Sequence, residues 1–319
     1  MNRLDYLKAT ISSCQNHISD IEIIVSANGS GQDTISWLKE NCQVMKFSYI
    51  THSAILDPFV HWNKLIKEAS GDFVVILSDD DLFTETLLES LVLDANKYSN
   101  ASMLMYGHDT IDQFGNLISK FRSIEQGLLE SQEAFQSLMD GVNHRLCAIA
   151  FNRSTLNEIG GFPEHFKITA GDCDVIQKMS LLGSVYFSNN PLAVGKYRVW
   201  EGSDTSTKFL EQQWHDEIQK WTESILAFSR KMGSQGKPGW PASIRVDNYR
   251  MACINGCKNG KHSDVQRFSK TIPKIHGLNF HGLLTMTVLR NFWLFKLTLR
   301  RKKIRIWANQ TLHSLRHQF

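Results

Sequence analysis

Apolar positions along the first 110 residues switch between two periods. Leu4, Leu7, Ile11 and Cys14 recur at helical spacing, and Ile21 to Val25 then reads as a buried strand ending in the turn-rich cluster Ser26-Ala27-Asn28-Gly29-Ser30. The cycle repeats with a helix predicted over 33–41, a short strand over 46–50 and a helix over 60–68. Ser70-Gly71 stops that helix, and the apolar run Phe73-Val74-Val75-Ile76-Leu77 leads into Ser78-Asp79-Asp80-Asp81. Strands alternating with helices predict an α/β fold with a parallel, doubly wound sheet. In such sheets ligands bind beyond the carboxyl ends of the strands, where 26–30 and 78–81 both fall.

From 102 to 198 the pattern is mixed. Strands are predicted at Met103–Tyr106, Leu146–Phe151, Val185–Phe187 and Leu192–Tyr197, and helices over 131–139 and 172–182. Beyond 204 the pattern is helical. Residues 233–241 hold three glycines and two prolines, a linker signature, so the domains expected are 1–205 and a helical region over 206–319.

At 319 residues and 42% hydrophobic content the chain can bury a sizeable core. Its six cysteines are scattered, which argues against a disulfide framework or a structural zinc site and suits a reducing compartment. No apolar run approaches the roughly 18 residues of a spanning helix, and no secretory signal is recognised. The net charge of +3 conceals an asymmetry. Residues 265–319 carry eleven Lys and Arg and no acid, whereas 1–264 hold all 32 acids against 24 bases. A tail of +11 on a body of −8 points to an anionic partner for the tail.

Three consecutive aspartates at the exit of an apolar strand repel one another unless a cation neutralises them. Mg²⁺ or Mn²⁺ would do so, taking one or two carboxylates together with substrate phosphate oxygens. The plainer alternative is a solvated loop feeding a helix, with Thr84 or Thr86 as its cap.

Further motifs follow in order. Arg3 and Leu7 to Ile11 come first, then Glu22 to Ser30, then Asn63 with Ala69 to Asp72, then Leu77 to Asp81, then Ile159-Gly160-Gly161-Phe162 and Gly171-Asp172-Cys173-Asp174. Each is weak alone, but together they resemble the family 2 glycosyltransferases of the GT-A fold, over about residues 1–205. The nearest in flavour are bacterial polysaccharide and O-antigen enzymes. The resemblance implies a Rossmann-like mixed sheet, a nucleotide-sugar donor, a divalent metal and an inverting transfer to a glycan, probably lipid-linked. It places the metal on Asp80 or Asp81, the donor beside Arg3, Asn28, Asn63, Asp79 and Arg198, and the acceptor beside Gly160, Gly161, Phe162 and Asp174. Asp172 would be the general base, although an Asp there could equally cap the following helix.

The sequence departs from the family pattern in places. Ala27 stands where relatives carry a base-contacting Asp, Gly171 where they carry Glu, and Val199-Trp200-Glu201 follows Arg198 where a His is usual. Such domains open with an apolar strand internal to the sheet; Met1-Asn2-Arg3 stands at its end here, so the expectation is a sheet short of that strand. A rival of another class is a non-catalytic descendant that binds membrane or partner enzymes. Residues 283–307 interleave Leu, Phe and Trp with Arg290 and Lys296 before Arg300-Arg301-Lys302-Lys303 and Arg305. This predicts an amphipathic helix on an anionic membrane surface, at the cytoplasmic face of the cell membrane. Nucleic acid is not an expected partner.

Overall fold

The computed structural model of the chain describes residues 3–15, 20–200, 208–234, 236–237, 239–276, 278, 280–295 and 298. They form two compact units, residues 1–207 with 223–236, and residues 208–222 with 237–319.

The first unit is α/β. Helix α1 (Arg3–Ser13) precedes strand β1 (Ile24–Asn28), then come α2 (Gln32–Asn41), β2 (Ser48–His52) and α3 (Pro58–Glu68). Pro58 preorganises the first turn of α3, and Phe59, Asn63 and Ile66 line its buried stripe. Strands β3 (Phe73–Val74) and β4 (Leu82–Phe83) flank the aspartates, and α4 (Glu85–Lys97) follows. Of its two candidate caps Thr84 serves, its hydroxyl accepting the Leu87 N–H at 3.2 Å. Leu87 and Leu88 then point into the core.

Strands β5 (Met103–Met105), β6 (Gly107–Ile111), β7 (Leu117–Phe121) and β8 (Gly127–Leu129) come next, followed by α5 (Ser131–Leu138), β9 (Ile149–Asn152), α6 (Arg153–Glu158), α7 (Gly171–Leu182), β10 (Val185–Phe187) and β11 (Val194–Arg198). The sheet order is β3-β9-β5-β10-β8, with a second sheet β4-β11-β6-β7 and a separate parallel pair β1-β2. The sheet is mixed rather than all parallel, because β9 runs antiparallel between β3 and β5. Leu146–Ala148 is a 3₁₀ turn rather than strand. The predicted strands at 21–25 and 46–50 sit two to three residues later in the structure, so the supposed turn residues Ser26, Ala27 and Asn28 are strand. Beyond Val74 the apolar run 75–77 carries no ladder.

The second unit is helical, with the first half of α8 (Gln212–Lys231), α9 (Trp240–Lys258), α10 (His262–Thr271) and α11 (Phe280–Arg290). Its core gathers Tyr249, Cys253, Val265, Phe268, Met286 and Leu289. Of the amphipathic helix expected over 283–307, residues 296–297 and 299–307 lie outside the described residues. Helix α11 ends at Arg290, whose Nε is drawn to the Ile272 carbonyl at 3.0 Å. Met286, Leu289, Phe292 and Phe295 enter the core, leaving Leu283, Leu284, Trp293 and Leu294 exposed. Arg300 to Arg305 lie outside the described residues. Among the described residues no helix is long and apolar enough to cross a membrane.

Buried histidines make the first unit acid-sensitive. His144 lies against Phe121 and Phe187, its Nε2 has no hydrogen-bond partner, and burial, aided by Arg145, pushes its pKa down to about 4. The unfolded chain therefore takes up the proton first. Stability from this group is full above about pH 6.5 and is lost as pH falls toward 4, with a slope of at most about 1.4 kcal/mol per pH unit. His144→Phe keeps an aromatic ring without the proton site. Thermal unfolding followed from pH 7 to 4.5 is expected to show a shallower fall in Tm for the variant than for the parent.

Candidate active site

The aspartate loop is held from three directions. Thr10 on α1 donates its hydroxyl to the carbonyls of Asp79 (3.0 Å) and Asp81 (2.8 Å). Arg198, at the end of β11, donates Nε to the Asp80 carbonyl at 2.7 Å and Nη1 to the Asp112 carbonyl at 2.9 Å. Its backbone N–H donates to Asp81 Oδ1 at 2.8 Å. The guanidinium also lies 4.7 Å over the Tyr6 ring, whose hydroxyl donates to the Gln113 carbonyl.

The loop sorts its three carboxylates. Asp81 is 4% exposed, and burial raises its pKa to about 7 against the opposing pull of the Arg198 N–H. Asp79 and Asp80 instead open onto a cavity of about 1880 Å³. Arg3 reaches Asp79 Oδ1 at 2.5 Å and Asp80 Oδ2 at 3.8 Å, and Trp200 Nε1 donates to Asp80 Oδ2 at 3.0 Å. Burial raises the pKa of Asp79, Arg3 opposes that shift and Asp80 adds to it.

Several residues that the sequence suggested as ligand contacts have polar groups engaged by the protein itself. Arg198 is 6% exposed and donates to the Asp80 and Asp112 carbonyls. The Asn28 carboxamide is occupied by the backbone of Leu56, accepting its N–H at 2.8 Å and donating to its carbonyl at 2.9 Å. Asn63 does the same for Phe162, at 2.8 Å each way, and thereby fastens the Gly160-Gly161-Phe162 turn to α3. Both glycines adopt positive φ, and a Cβ on Gly161 would stand 2.5 Å from Asn63 Oδ1, so only glycine fits there. Asp174, expected beside an acceptor, is 1% exposed and paired with Lys178 at 2.6 Å.

Asp172 is partly exposed in the first turn of α7 and accepts the N–H of Cys173 at 2.8 Å. It is not the cap: that position is Ala170, whose φ of +67° is strained for a residue with a Cβ. Gly171 cannot be the family's Glu here, because a Cβ would lie 2.5 Å from the Phe59 ring.

Four contributors escaped the sequence pattern: Thr10, Tyr6, Trp200 and Arg145. Arg145 lies 5.0 Å over the Tyr197 ring, and its charge opposes the burial that raises the pKa of the Cys147 and Cys173 thiols. The first three come from segments far from the aspartates in sequence, Thr10 within the 7–11 motif and Trp200 just after Arg198.

The residues fit a divalent cation. Arg3 already holds a positive charge against Asp79 and Asp80, which offer hard oxygen donors. Among the described residues no three acids, histidines or cysteines converge.

The glycosyl transferase family 2 model matches residues 1–160. A GalNAc(5)-diNAcBac-PP-undecaprenol beta-1,3-glucosyltransferase of Campylobacter jejuni is 32% identical over 125 residues, 38% of this chain and 39% of that protein. An uncharacterized glycosyltransferase of Rickettsia typhi is 26% identical over 237 residues, 70% of this chain and 71% of its own length. The crystal structure of S. aureus TarS 1–349 in complex with UDP superposes with a TM-score of 0.56 at 14% identity, over 85% of this chain and 78% of that one, a likeness of GT-A fold.

Asn63→Ala would strand the buried N–H and carbonyl of Phe162. Chemical denaturation is expected to show a loss of about 2–4 kcal/mol, and a loss below 1 kcal/mol would show that the turn does not need this clamp.

Proposed function

Because the chain belongs to glycosyl transferase family 2, we propose that it moves a sugar from a nucleoside-diphosphate sugar to a hydroxyl of a lipid-linked glycan, with inversion at the anomeric carbon. The observation that carries the proposal is the acidic pair Asp79 and Asp80 at the cavity mouth, balanced by the exposed Arg3. The Campylobacter relative, whose name specifies a polyprenol-linked glycan, supports the acceptor class.

Asp79 and Asp80 would hold the divalent metal, with Trp200 Nε1 fixing the orientation of Asp80. When bound, the metal supplies charge neutralisation for the departing diphosphate. Arg3, 57% exposed, is then free to exchange its carboxylates for phosphate oxygens, a bidentate match for a guanidinium. Asp172 would accept the proton of the acceptor hydroxyl as that oxygen attacks the anomeric carbon. The bond to the diphosphate breaks on the opposite face, and inversion results.

The exposed Leu283, Leu284, Trp293 and Leu294, together with the eleven basic residues after Asp264, suit an anionic membrane surface. A lipid-linked acceptor would be presented there, so we place the protein as a peripheral one on the cytoplasmic face of the cell membrane.

Calorimetry with Mn²⁺ and UDP is expected to show binding that Asp80→Asn weakens at least about tenfold, while Asp172→Asn binds normally and loses about 10²–10⁴-fold in turnover. Full binding by Asp80→Asn would move the metal elsewhere, and full turnover by Asp172→Asn would exclude it as the base. The full chain is also expected to sediment with anionic but not neutral vesicles, and to be released by salt. Equal partitioning onto both would remove the electrostatic contribution.

A further inference from the structure

The hairpin of β6 and β7 is tied to the aspartate loop. Arg198 donates to the Asp80 carbonyl from Nε and to the Asp112 carbonyl from Nη1, so one guanidinium spans the loop and the hairpin turn. The Tyr6 hydroxyl, from the helix that carries Arg3 and Thr10, donates to the Gln113 carbonyl at 3.0 Å. The turn is also closed on itself. Asp112 N–H donates to the Asn116 carbonyl at 2.9 Å, and the Asp112 carboxylate accepts the N–H groups of Phe114 at 2.8 Å and Asn116 at 2.9 Å. Bonding of this kind fixes a turn without help from a core, so the backbone sets the direction in which Phe114 leaves it.

This fixed turn presents apolar groups. Phe114 is 74% exposed, Leu117 54% and Ile118 56%. Successive strand residues point to opposite faces, so Leu117 and Ile118 put aliphatic side chains on both sides of β7. Among the described residues β7 is laddered to β6 alone, which leaves its other edge without a strand. Single exposed apolar residues are ordinary, but an aromatic tip, two aliphatic side chains and an open edge in one hairpin make a surface that water solvates poorly. Charge indicates what covers it. From Gln113 to Phe121 the one ionic side chain is Lys120, which is exposed, and there is no acid. An apolar tip with a basic flank suits an anionic lipid surface, where the ring and aliphatic groups enter the interface and the ammonium meets headgroup phosphates.

We propose that the β6-β7 hairpin is a lipid-contacting element, with Phe114, Leu117 and Ile118 entering the interfacial layer of an anionic membrane. It is a surface of the first unit, additional to the exposed apolar and basic residues of the second. The inference rests on the reading of the acceptor as lipid-linked. Such an acceptor stays at the bilayer, and a hairpin that shares the Arg198 anchor with the aspartate loop brings that loop to the same surface.

Photocrosslinking of the full chain tests it. The photoreactive residue p-benzoylphenylalanine replaces Phe114 or, as a control, Val44, which is 82% exposed between α2 and β2. Each protein is irradiated with vesicles of phosphatidylcholine and phosphatidylglycerol. Mass spectrometry is expected to find phospholipid attached at position 114 at least about ten times as often as at position 44. Equal attachment at both positions would overturn the proposal. So would a protein–protein adduct at 114 in place of lipid, which would assign the open edge to a second copy of the chain. Phe114→Ser combined with Ile118→Ser is expected to weaken vesicle binding at least about fivefold while leaving the binding of Mn²⁺ and UDP unchanged, and undiminished vesicle binding would also overturn it. Failure of the parent to bind Mn²⁺ and UDP would instead refute the reaction, because lipid attachment at 114 needs neither ligand.

Discussion

The Arg198 guanidinium, buried between the aspartate loop and the turn at Asp112, holds together segments more than eighty residues apart. Its two carbonyl bonds satisfy acceptors that would otherwise be buried without donors, and its own backbone N–H supports the carboxylate of Asp81. A buried charge is tolerated only when it is bonded in this way. Tyr6 beneath the guanidinium and Thr10 beneath the loop bring α1 into the same arrangement. This anchoring holds the backbone of the loop that carries Asp79 and Asp80 to the cavity and buries Asp81.

A second anchor fixes the Gly160-Gly161-Phe162 turn. Asn63 reads both backbone groups of Phe162, and the aromatic rings of Phe59, Trp62 and Phe166 gather around that turn. Gly171 then packs its bare Cα against Phe59, and the strained Ala170 delivers the chain into α7 with Asp172 in the first turn. The base candidate is thus placed by packing from α3, over a hundred residues earlier.

Much of the fold was legible because its signals are local. The helical spacing of α1, the Thr84 or Thr86 cap and the apolar run into Asp79 each depend on a few neighbouring residues. The hairpin β6-β7 and helix α6 carried weaker signals: β7 exposes Leu117 and Ile118, and α6 spans six residues only. Strand β9 read as a buried strand, but nothing local says that it inserts antiparallel between β3 and β5.

Chemistry divides in the same way. The sequence by itself determined which residue types reach the sheet edge, since a run of aspartates after an apolar strand can be read from order alone, as can the separation of the acidic body from the basic tail. Which aspartate is buried, which carbonyls Arg198 bonds, and which backbone groups Asn28 and Asn63 meet were decided only by tertiary structure. The reason is physical: a side chain's role depends on the partners that satisfy it. Those partners, Leu56 for Asn28 and Phe162 for Asn63, arrive from elsewhere in the chain.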